Sequence, residues 1–220
     1  LSELFWGVRT IIFWIAPATL IFIVLRAHIV RVALGAGFFS WEDTRLTAAS
    51  LAAFTIAMVF WSLSALLIKS FYALENTWRP LFINIFTSLF SVFLAIFFAE
   101  SLRESTFLSR KILYLFRLGD LERTEVLGLA LGFAIGQILN ITLLYWALLR
   151  LTKKIFKDDV KFPYIALFKI IAASFFAGLA AYAARASFSA TFPLISFAQV
   201  LVQGIVAGAI GFAVYFTALF

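Results

Sequence analysis

The chain has 220 residues, of which 64% are hydrophobic and only 13% are charged, about half the charged fraction of a soluble domain, so the composition indicates an integral membrane protein. It has one histidine and no cysteine, which excludes a disulfide scaffold and thiolate metal sites, and we expect neither a metal nor a cofactor. The formal net charge of +7 then indicates contact with anionic lipid headgroups or an anionic substrate, and we expect no nucleic-acid partner.

Six apolar stretches are long enough to cross a membrane as helices, since about 20 apolar residues span the hydrocarbon core. The alternating pattern of barrel strands does not occur, and α-helices satisfy their own backbone hydrogen bonds in lipid. The sequence therefore predicts an all-α polytopic membrane protein with a single membrane domain over residues 1–220. The predicted spans are approximately 10–34, 46–74, 80–99, 126–149, 163–184 and 193–220.

The first predicted helix contains Pro17 and has three basic side chains towards its end, Arg26, His28 and Arg31. The proline predicts a kink, because it lacks an N–H and its ring clashes with the preceding turn. A charge inside a membrane helix is costly, so these side chains either extend to the interface or face a wet cavity. For Arg31, four residues before Gly35, extension to the interface is the simpler interpretation.

Two segments mark the ends of the second predicted helix. Ser40–Asp43 has the spacing of a capping box, which places an acidic side chain where it meets the helix dipole. Phe71–Pro80, with the sequence FYALENTWRP, predicts a tight turn at the membrane surface between two antiparallel helices. Thr77 is the predicted N-cap of the third helix, and Pro80 suits its first turn.

Polar or small residues recur at helical spacing on the third and fourth predicted helices. On the third helix, the polar residues form a stripe along one face. Helix–helix hydrogen bonds explain a stripe of this kind in most cases, and the wall of a cavity is the alternative explanation. On the fourth, a doubled GxxxG pattern predicts the close approach of another helix, with an asparagine in the same register to bond across the contact. These residues are Asn84, Thr87, Ser88 and Ser91 on the third helix, and Gly128, Gly132, Gly136 and Asn140 on the fourth.

A short segment between these two helices, at about residues 105–117, has apolar residues at helical spacing and basic residues on its other faces. This pattern predicts a short amphipathic helix that lies in the membrane interface. The acidic residues of the chain all fall at predicted helix ends or in loops, and no motif for nucleophilic or metal-dependent catalysis occurs. We therefore expect a protein that is not an enzyme.

Several short elements follow one another in a fixed order through the first third of the chain. They are Pro17-Ala18, Gly37-Phe38, Asp43-Thr44, Thr47-Ala48, Phe71-Tyr72-Ala73, Thr77 and Pro80. Their order and spacing resemble the C-terminal half of the MurJ/MviN lipid II flippases, which belong to the multidrug/oligosaccharidyl-lipid/polysaccharide exporter superfamily. The resemblance is close over residues 10–80 and loose over residues 126–140. After residue 160 only the hydropathy pattern is similar.

This resemblance implies that the six spans form one lobe of a MurJ-like transporter, equivalent to the last six helices of the superfamily fold. It places both ends of the chain in the cytoplasm and the lobe in a bacterial inner membrane, whereas the loop counts of Lys and Arg are equal on the two sides. Because the chain starts at Leu1 and ends inside an apolar run, we expect a fragment that lacks an N-terminal lobe. A single lobe is not expected to transport without its partner.

The family that the chain resembles moves lipid II, the undecaprenyl-pyrophosphate-linked peptidoglycan precursor, across the membrane by alternating access between two lobes. The resemblance therefore implies a flippase for a lipid-linked oligosaccharide, with a groove for the lipid tail along the final two helices. Arg26, His28 and Arg31 are then candidate contacts for the pyrophosphate or headgroup. Two alternatives stay open: an exporter of polysaccharide or multidrug substrates from the same superfamily, and a non-transporting membrane scaffold that recruits cell-wall enzymes.

Overall fold

The computed structural model describes residues 2–35, 39–104, 107–116, 118–119, 124–155, 164–191 and 197–219, so Gly37 and Phe38 of the matching elements lie outside the described residues. All regular structure in these ranges is α-helical. Six of the helices are long and apolar enough to cross a membrane, which confirms the predicted all-α polytopic architecture. The helices are α1 (Ser2–Leu34), α2 (Trp41–Ala73), α3 (Trp78–Arg103), α4 (Phe107–Phe116), α5 (Glu125–Ile155), α6 (Tyr164–Thr191) and α7 (Phe197–Leu219).

Several helices extend beyond the apolar stretch that predicted them. The first begins at Ser2 rather than near residue 10, and α6 ends at Thr191 rather than near residue 184. Hydropathy marks only the part of a helix that suits hydrocarbon, whereas the helix itself continues for as long as its backbone groups stay paired. The short α4 covers most of the segment that predicted an amphipathic helix, and its Tyr114 and Leu115 are exposed.

The N-terminus of α2 is closed by the capping box that the sequence predicts. The backbone N–H and the hydroxyl of Ser40 donate to Asp43 Oδ2 at 2.9 and 2.7 Å, and the Asp43 N–H donates to Ser40 Oγ at 3.1 Å. The hydroxyl of the buried Thr44 donates to the Ser40 carbonyl at 2.9 Å. Asp43 and Thr44 therefore fix the first turn of α2.

The chain turns sharply between α2 and α3. The N–H groups of Leu74 and Asn76 donate to the Phe71 carbonyl at 3.1 and 3.0 Å. Glu75 between them adopts the left-handed conformation, with a φ of 55°, which lets the chain reverse within a few residues. The Phe71 side chain is fully buried and Pro80 is buried beyond the turn, so the turn is anchored on both sides.

Thr77 occupies the N-cap position of α3, as predicted, but its side chain makes no capping hydrogen bond. Its backbone is already helical, with φ of −90° and ψ of −25°, whereas a capping side chain needs an extended backbone to reach the first free N–H groups. Asn76 acts instead, because its Oδ1 accepts from the Arg79 N–H at 3.3 Å.

The chain forms two compact units, and α1 and α2 each contribute one part to each of them. The first unit comprises Leu1–Ile11 and Ile56–Pro163, and it includes α3, α4 and α5. The second unit comprises Ile12–Thr55 and Tyr164–Phe220, and it includes α6 and α7.

In the first unit, the doubled GxxxG of α5 faces α3. A Cβ added at Gly132 would fall 2.9 Å from Ala95 Cβ, and one added at Gly136 would fall 2.6 Å from Ser91 Oγ. An added Cβ at Gly128 would likewise meet the α3 backbone. Only glycine permits this approach of the two helices, which is the usual reason for small residues at four-residue spacing.

Polar side chains join α3 and α5 along the same contact. The buried Asn140 amide donates to Asn84 Oδ1 at 2.8 Å and to Thr87 Oγ1 at 2.7 Å. One turn further along, the Ser91 hydroxyl donates to the Gly132 carbonyl at 3.2 Å. These members of the polar stripe on α3 therefore make helix–helix hydrogen bonds, which stabilise association in lipid because unpaired polar groups there are costly.

Two glycine-to-alanine substitutions should change stability in opposite directions. Gly132→Ala should destabilise the protein by about 1–3 kcal/mol, because the new Cβ collides with Ala95. Gly204→Ala should be neutral or stabilising by up to about 1 kcal/mol, because its Cβ would meet His28 Cβ at an ordinary 3.7 Å and alanine favours a helix. Unfolding by dodecyl sulfate, followed by circular dichroism in mild detergent, measures both. If Gly204→Ala lowered the stability as much as Gly132→Ala, the close helix contact would not be the reason for the effect at Gly132.

In the second unit, small residues of α6 pack against α7. Ala173, Ala177 and Ala181 are all buried. A Cβ added at Gly211 would fall 3.1 Å from both the Ala177 carbonyl oxygen and Ala181 Cβ. The alanine face of α6 is therefore occupied by a neighbouring helix.

The same unit contains a proline within a membrane-spanning helix, since α1 continues through Pro17. A residue at this position would normally donate its N–H to the carbonyl of Phe13, four residues earlier, and proline has no N–H to give. The hydroxyl of Tyr215 on α7 donates to that same carbonyl at 2.7 Å. Tyr215 is fully buried, and its ring packs edge-on against the Phe13 ring at 5.6 Å. Tyr215 thus replaces the hydrogen bond that Pro17 removes from α1.

A double-mutant cycle at these two positions tests this replacement. Tyr215→Phe alone should destabilise the protein by about 1–3 kcal/mol, because it leaves a buried carbonyl without a donor. In the Pro17→Ala background the cost should largely disappear, because the restored amide at position 17 can donate to the Phe13 carbonyl. Tyr145→Phe on α5, at an exposed tyrosine, is the matched control. An equal cost of Tyr215→Phe in both backgrounds would show that the hydroxyl does not act through that carbonyl.

Candidate functional site

An apolar pocket lies between α1 and α7 in the second unit. Its volume of about 510 Å³ falls within the range of about 300–1,000 Å³ that is typical of small-molecule sites. A glycine on α7 leaves part of this space open, since a Cβ at Gly208 would approach Leu25 Cδ1 to 3.6 Å. The lining residues are Ile21, Phe22, Leu25, His28, Ile29, Val32 and Ala33 of α1, and Leu201, Gly204, Ile205, Gly208, Ala209 and Phe212 of α7.

The position of this pocket differs from the groove that the resemblance implies. The resemblance implies a groove along the final two helices, α6 and α7, whose alanine- and glycine-rich surfaces fit it. In the structure the alanine face of α6 is packed against α7, and the lining of the pocket comes from α1 and α7. Small residues therefore serve close packing on α6 and leave space for a pocket on α7.

The wall of the pocket has one polar side chain. His28 lies in the pocket wall, and its Nε2 is 2.9 Å from Gln203 Oε1. The Gln203 amide in turn donates to the backbone carbonyl of Arg185 at 2.7 Å. These residues, here called the His28–Gln203–Arg185 cluster, come from three helices, and each stands about 9 Å from an end of its helix at a rise of 1.5 Å per residue.

The hydrogen bonds of this cluster fix the proton position on His28. A backbone carbonyl can only accept, so the Gln203 nitrogen must face Arg185 and its oxygen must face His28. His28 Nε2 therefore bears a proton and donates to Gln203. The other ring nitrogen, Nδ1, is left as an acceptor in neutral imidazole and as a second donor in imidazolium.

Two buried atoms of the cluster have no hydrogen-bond partner among the described residues, His28 Nδ1 and Arg185 Nε. The Arg185 guanidinium lies over the Tyr182 ring at 5.1 Å, and it is near enough to His28 for the two groups to interact electrostatically. Because the great majority of buried polar atoms in proteins are hydrogen-bonded, two exceptions in one cluster identify it as a candidate binding site.

The structure separates the three basic residues that the sequence singled out on α1. His28 lies in the pocket wall, whereas Arg26 and Arg31 are not among the lining residues. The Arg31 guanidinium is 5.8 Å from the centre of the Trp41 ring, at the start of α2. This contact agrees with the simpler interpretation of Arg31, in which a long side chain extends towards the helix end.

Arg185 and Gln203 were not predicted as site residues. The fifth predicted span ends near residue 184, just before Arg185; the helix continues to Thr191, and Arg185 falls within the candidate span Ile165–Ser189. The sequence does contain a signal for Gln203, because a polar glutamine inside a strongly apolar helix points to a functional site.

The turn and cap residues of the resemblance stand apart from this pocket. Asp43 and Thr44 close the start of α2, and Phe71 forms part of an apolar cluster with Leu67 and Leu144 in the first unit. Their contacts are those of turn and packing residues. Among the described residues, no group of histidine and acidic side chains is arranged to hold a metal ion.

The helices and the pocket define a multi-pass membrane protein with an apolar site whose wall includes one residue of a buried polar cluster. The chain matches the family model of the lipid II flippase MurJ over residues 1–203. A search of curated proteins found no match to the chain. The match spans most of the sequence, so the chain belongs to the lipid II flippase MurJ family, whose members are transporters and not enzymes.

Proposed function

We propose that this chain is the C-terminal lobe of a lipid II flippase in a bacterial inner membrane. It works by alternating access with an N-terminal lobe, and it translocates the undecaprenyl-pyrophosphate-linked peptidoglycan precursor. Both ends of the lobe lie in the cytoplasm; the even number of candidate spans and the resemblance over residues 10–80 support this orientation.

The observation that supports this proposal most strongly is the family match over residues 1–203 in a chain with six candidate spans. The pocket between α1 and α7 adds to it, because a substrate with a long hydrocarbon tail needs an apolar surface within the lobe. Arg26, His28 and Arg31 are the proposed contacts for the pyrophosphate, since charge-assisted hydrogen bonds favour basic side chains around an anionic group.

Complementation of bacteria depleted of their own flippase tests the proposal. The chain joined to the N-terminal lobe of a MurJ family member should restore growth and the movement of lipid II to the outer leaflet. The chain alone should restore neither, because one lobe cannot alternate against a missing partner. Failure of the joined protein, when it is present in the membrane at normal amounts, would contradict the proposed function.

The same assay tests the basic residues on α1. The double variant Arg26→Ala with Arg31→Ala should slow lipid II translocation by about tenfold or more, as expected when charged hydrogen bonds to a substrate are lost. Arg150→Ala is the matched control: Arg150 also lies over an aromatic ring, 3.4 Å from the centre of Trp146, but on α5 in the first unit. Full activity of the double variant would exclude both side chains as substrate contacts.

We further infer that α4 lies in the membrane interface and contacts anionic headgroups. Tyr114 is 85% exposed and Leu115 is 77% exposed, and the basic Arg110 and Lys111 lie on the same short helix. Exposed apolar and basic side chains together are typical of an interfacial helix.

A spin label at position 115 measures the depth of α4. The chain has no cysteine, so Leu115→Cys gives a single labelling site. The label should collide more often with oxygen, which concentrates in lipid, than with a water-soluble nickel complex, and more so in vesicles with anionic lipid. Glu75→Cys in the turn between α2 and α3 serves as an exposed control, where the nickel complex should dominate. The same ratio at both positions would place α4 in water.

A further inference from the structure

We propose that the His28–Gln203–Arg185 cluster binds the phosphate of a lipid-linked substrate whose chain lies in the pocket between α1 and α7. The assignment rests on the proposed function, and it adds two residues, Arg185 and Gln203, that neither the sequence nor the family match singled out. Arg185 and His28 contact the phosphate directly. Gln203 is a positioning residue that acts through His28.

The unpartnered atoms indicate what kind of ligand fits. Arg185 Nε is a donor under all conditions, and His28 Nδ1 becomes a donor when the ring is protonated. Two basic groups close together repel each other in a region of low dielectric unless an anion lies between them. A phosphate oxygen accepts from both, and the planar guanidinium suits a tetrahedral oxyanion especially well.

Gln203 determines where the free nitrogen of His28 points. Its side chain is 1% exposed and is fixed from both sides, by the Arg185 carbonyl and by His28 Nε2. Because Nε2 is engaged in that bond, only Nδ1 of His28 remains for a ligand. Without Gln203 the ring could turn or change its tautomer, and the site would lose its geometry.

The pocket indicates that the phosphate is attached to a hydrocarbon chain. His28 is the one ionisable residue among the lining residues, and the others are apolar or glycine. A phosphate at His28 Nδ1 would therefore lie beside an apolar cleft that a hydrocarbon chain can fill. The proposed function makes that chain the isoprenoid of the flippase substrate.

Binding of three probes to the purified chain in lipid nanodiscs tests the proposal. The probes are undecaprenyl phosphate, undecaprenol, which has the same chain without the phosphate, and phosphatidylglycerol as a competing anionic phospholipid. The chain should bind undecaprenyl phosphate about tenfold or more tightly than undecaprenol, the difference expected for hydrogen bonds to a charged group. Phosphatidylglycerol should compete weakly. Equal competition by phosphatidylglycerol would overturn the proposal in favour of a general anionic-lipid site.

The variants separate the phosphate contacts from the chain contacts. Arg185→Gln and Gln203→Leu should abolish the preference for undecaprenyl phosphate and leave undecaprenol binding unchanged, because neither residue lines the pocket. His28→Phe, in the pocket wall, should also abolish the preference. If these residues had a purely structural role, the variants would weaken the binding of both probes equally, and that result would overturn the assignment. Gly208→Leu should weaken the binding of both probes, because the leucine side chain would fill the pocket beside Leu25. Arg150→Gln, which removes a guanidinium from above a ring on α5, should change neither.

Two further measurements keep the outcome unambiguous. If Arg185→Gln does not fold, as judged by circular dichroism and gel filtration, Arg185→Lys takes its place; a reduced phosphate preference supports the proposal, and an unchanged one contradicts it. The same variants are assayed for complementation after joining to the N-terminal lobe. Phosphate preference without complementation would overturn the proposed function and leave the site in place, whereas complementation without phosphate preference would overturn the site alone.

Discussion

In hydrocarbon there is no water to replace a lost backbone hydrogen bond, and the structure depends on how this constraint is met. Pro17 removes the donor for the Phe13 carbonyl in the middle of α1, and Tyr215 of α7 supplies another at 2.7 Å. The contact joins two helices that are far apart in sequence and holds them together beside the pocket that they line. A proline in a membrane helix thus becomes a point of attachment for its neighbour.

The same constraint explains the other polar contacts between helices. Asn140 uses both hydrogens of its amide on Asn84 and Thr87 in the first unit. In the second unit, Gln203 uses its oxygen for His28 and one hydrogen for the Arg185 carbonyl. In both contacts a buried amide is paired on the neighbouring helices, as expected in a medium where unpaired polar groups are costly.

The sequence predicted the features that depend on local spacing. Six apolar stretches correspond to six candidate spans, and the capping spacing of Ser40–Asp43 corresponds to the start of α2. The site was less predictable, because His28 and Gln203 are 175 positions apart and no local period relates them. Arg185 falls just beyond the predicted fifth span, which ends near residue 184, whereas the helix continues to Thr191. Thr77 stands at the N-cap position of α3 as predicted, but the side chain that bonds in the first turn is that of its neighbour Asn76, which accepts from the Arg79 N–H.

A pocket for a lipid chain inside a membrane cannot select its ligand by the hydrophobic effect. The chain leaves one apolar medium, the bilayer, and enters another, so little free energy is gained from burial alone. Shape distinguishes one chain from another only weakly, since a missing methylene in an apolar site changes binding by about 1–3 kcal/mol at most. Discrimination must therefore come from polar groups, where an unmatched donor is costly to leave buried. In the site proposed here these groups belong to the His28–Gln203–Arg185 cluster, whose two unpartnered atoms are the ones able to distinguish a phosphorylated isoprenoid from the same chain without its phosphate.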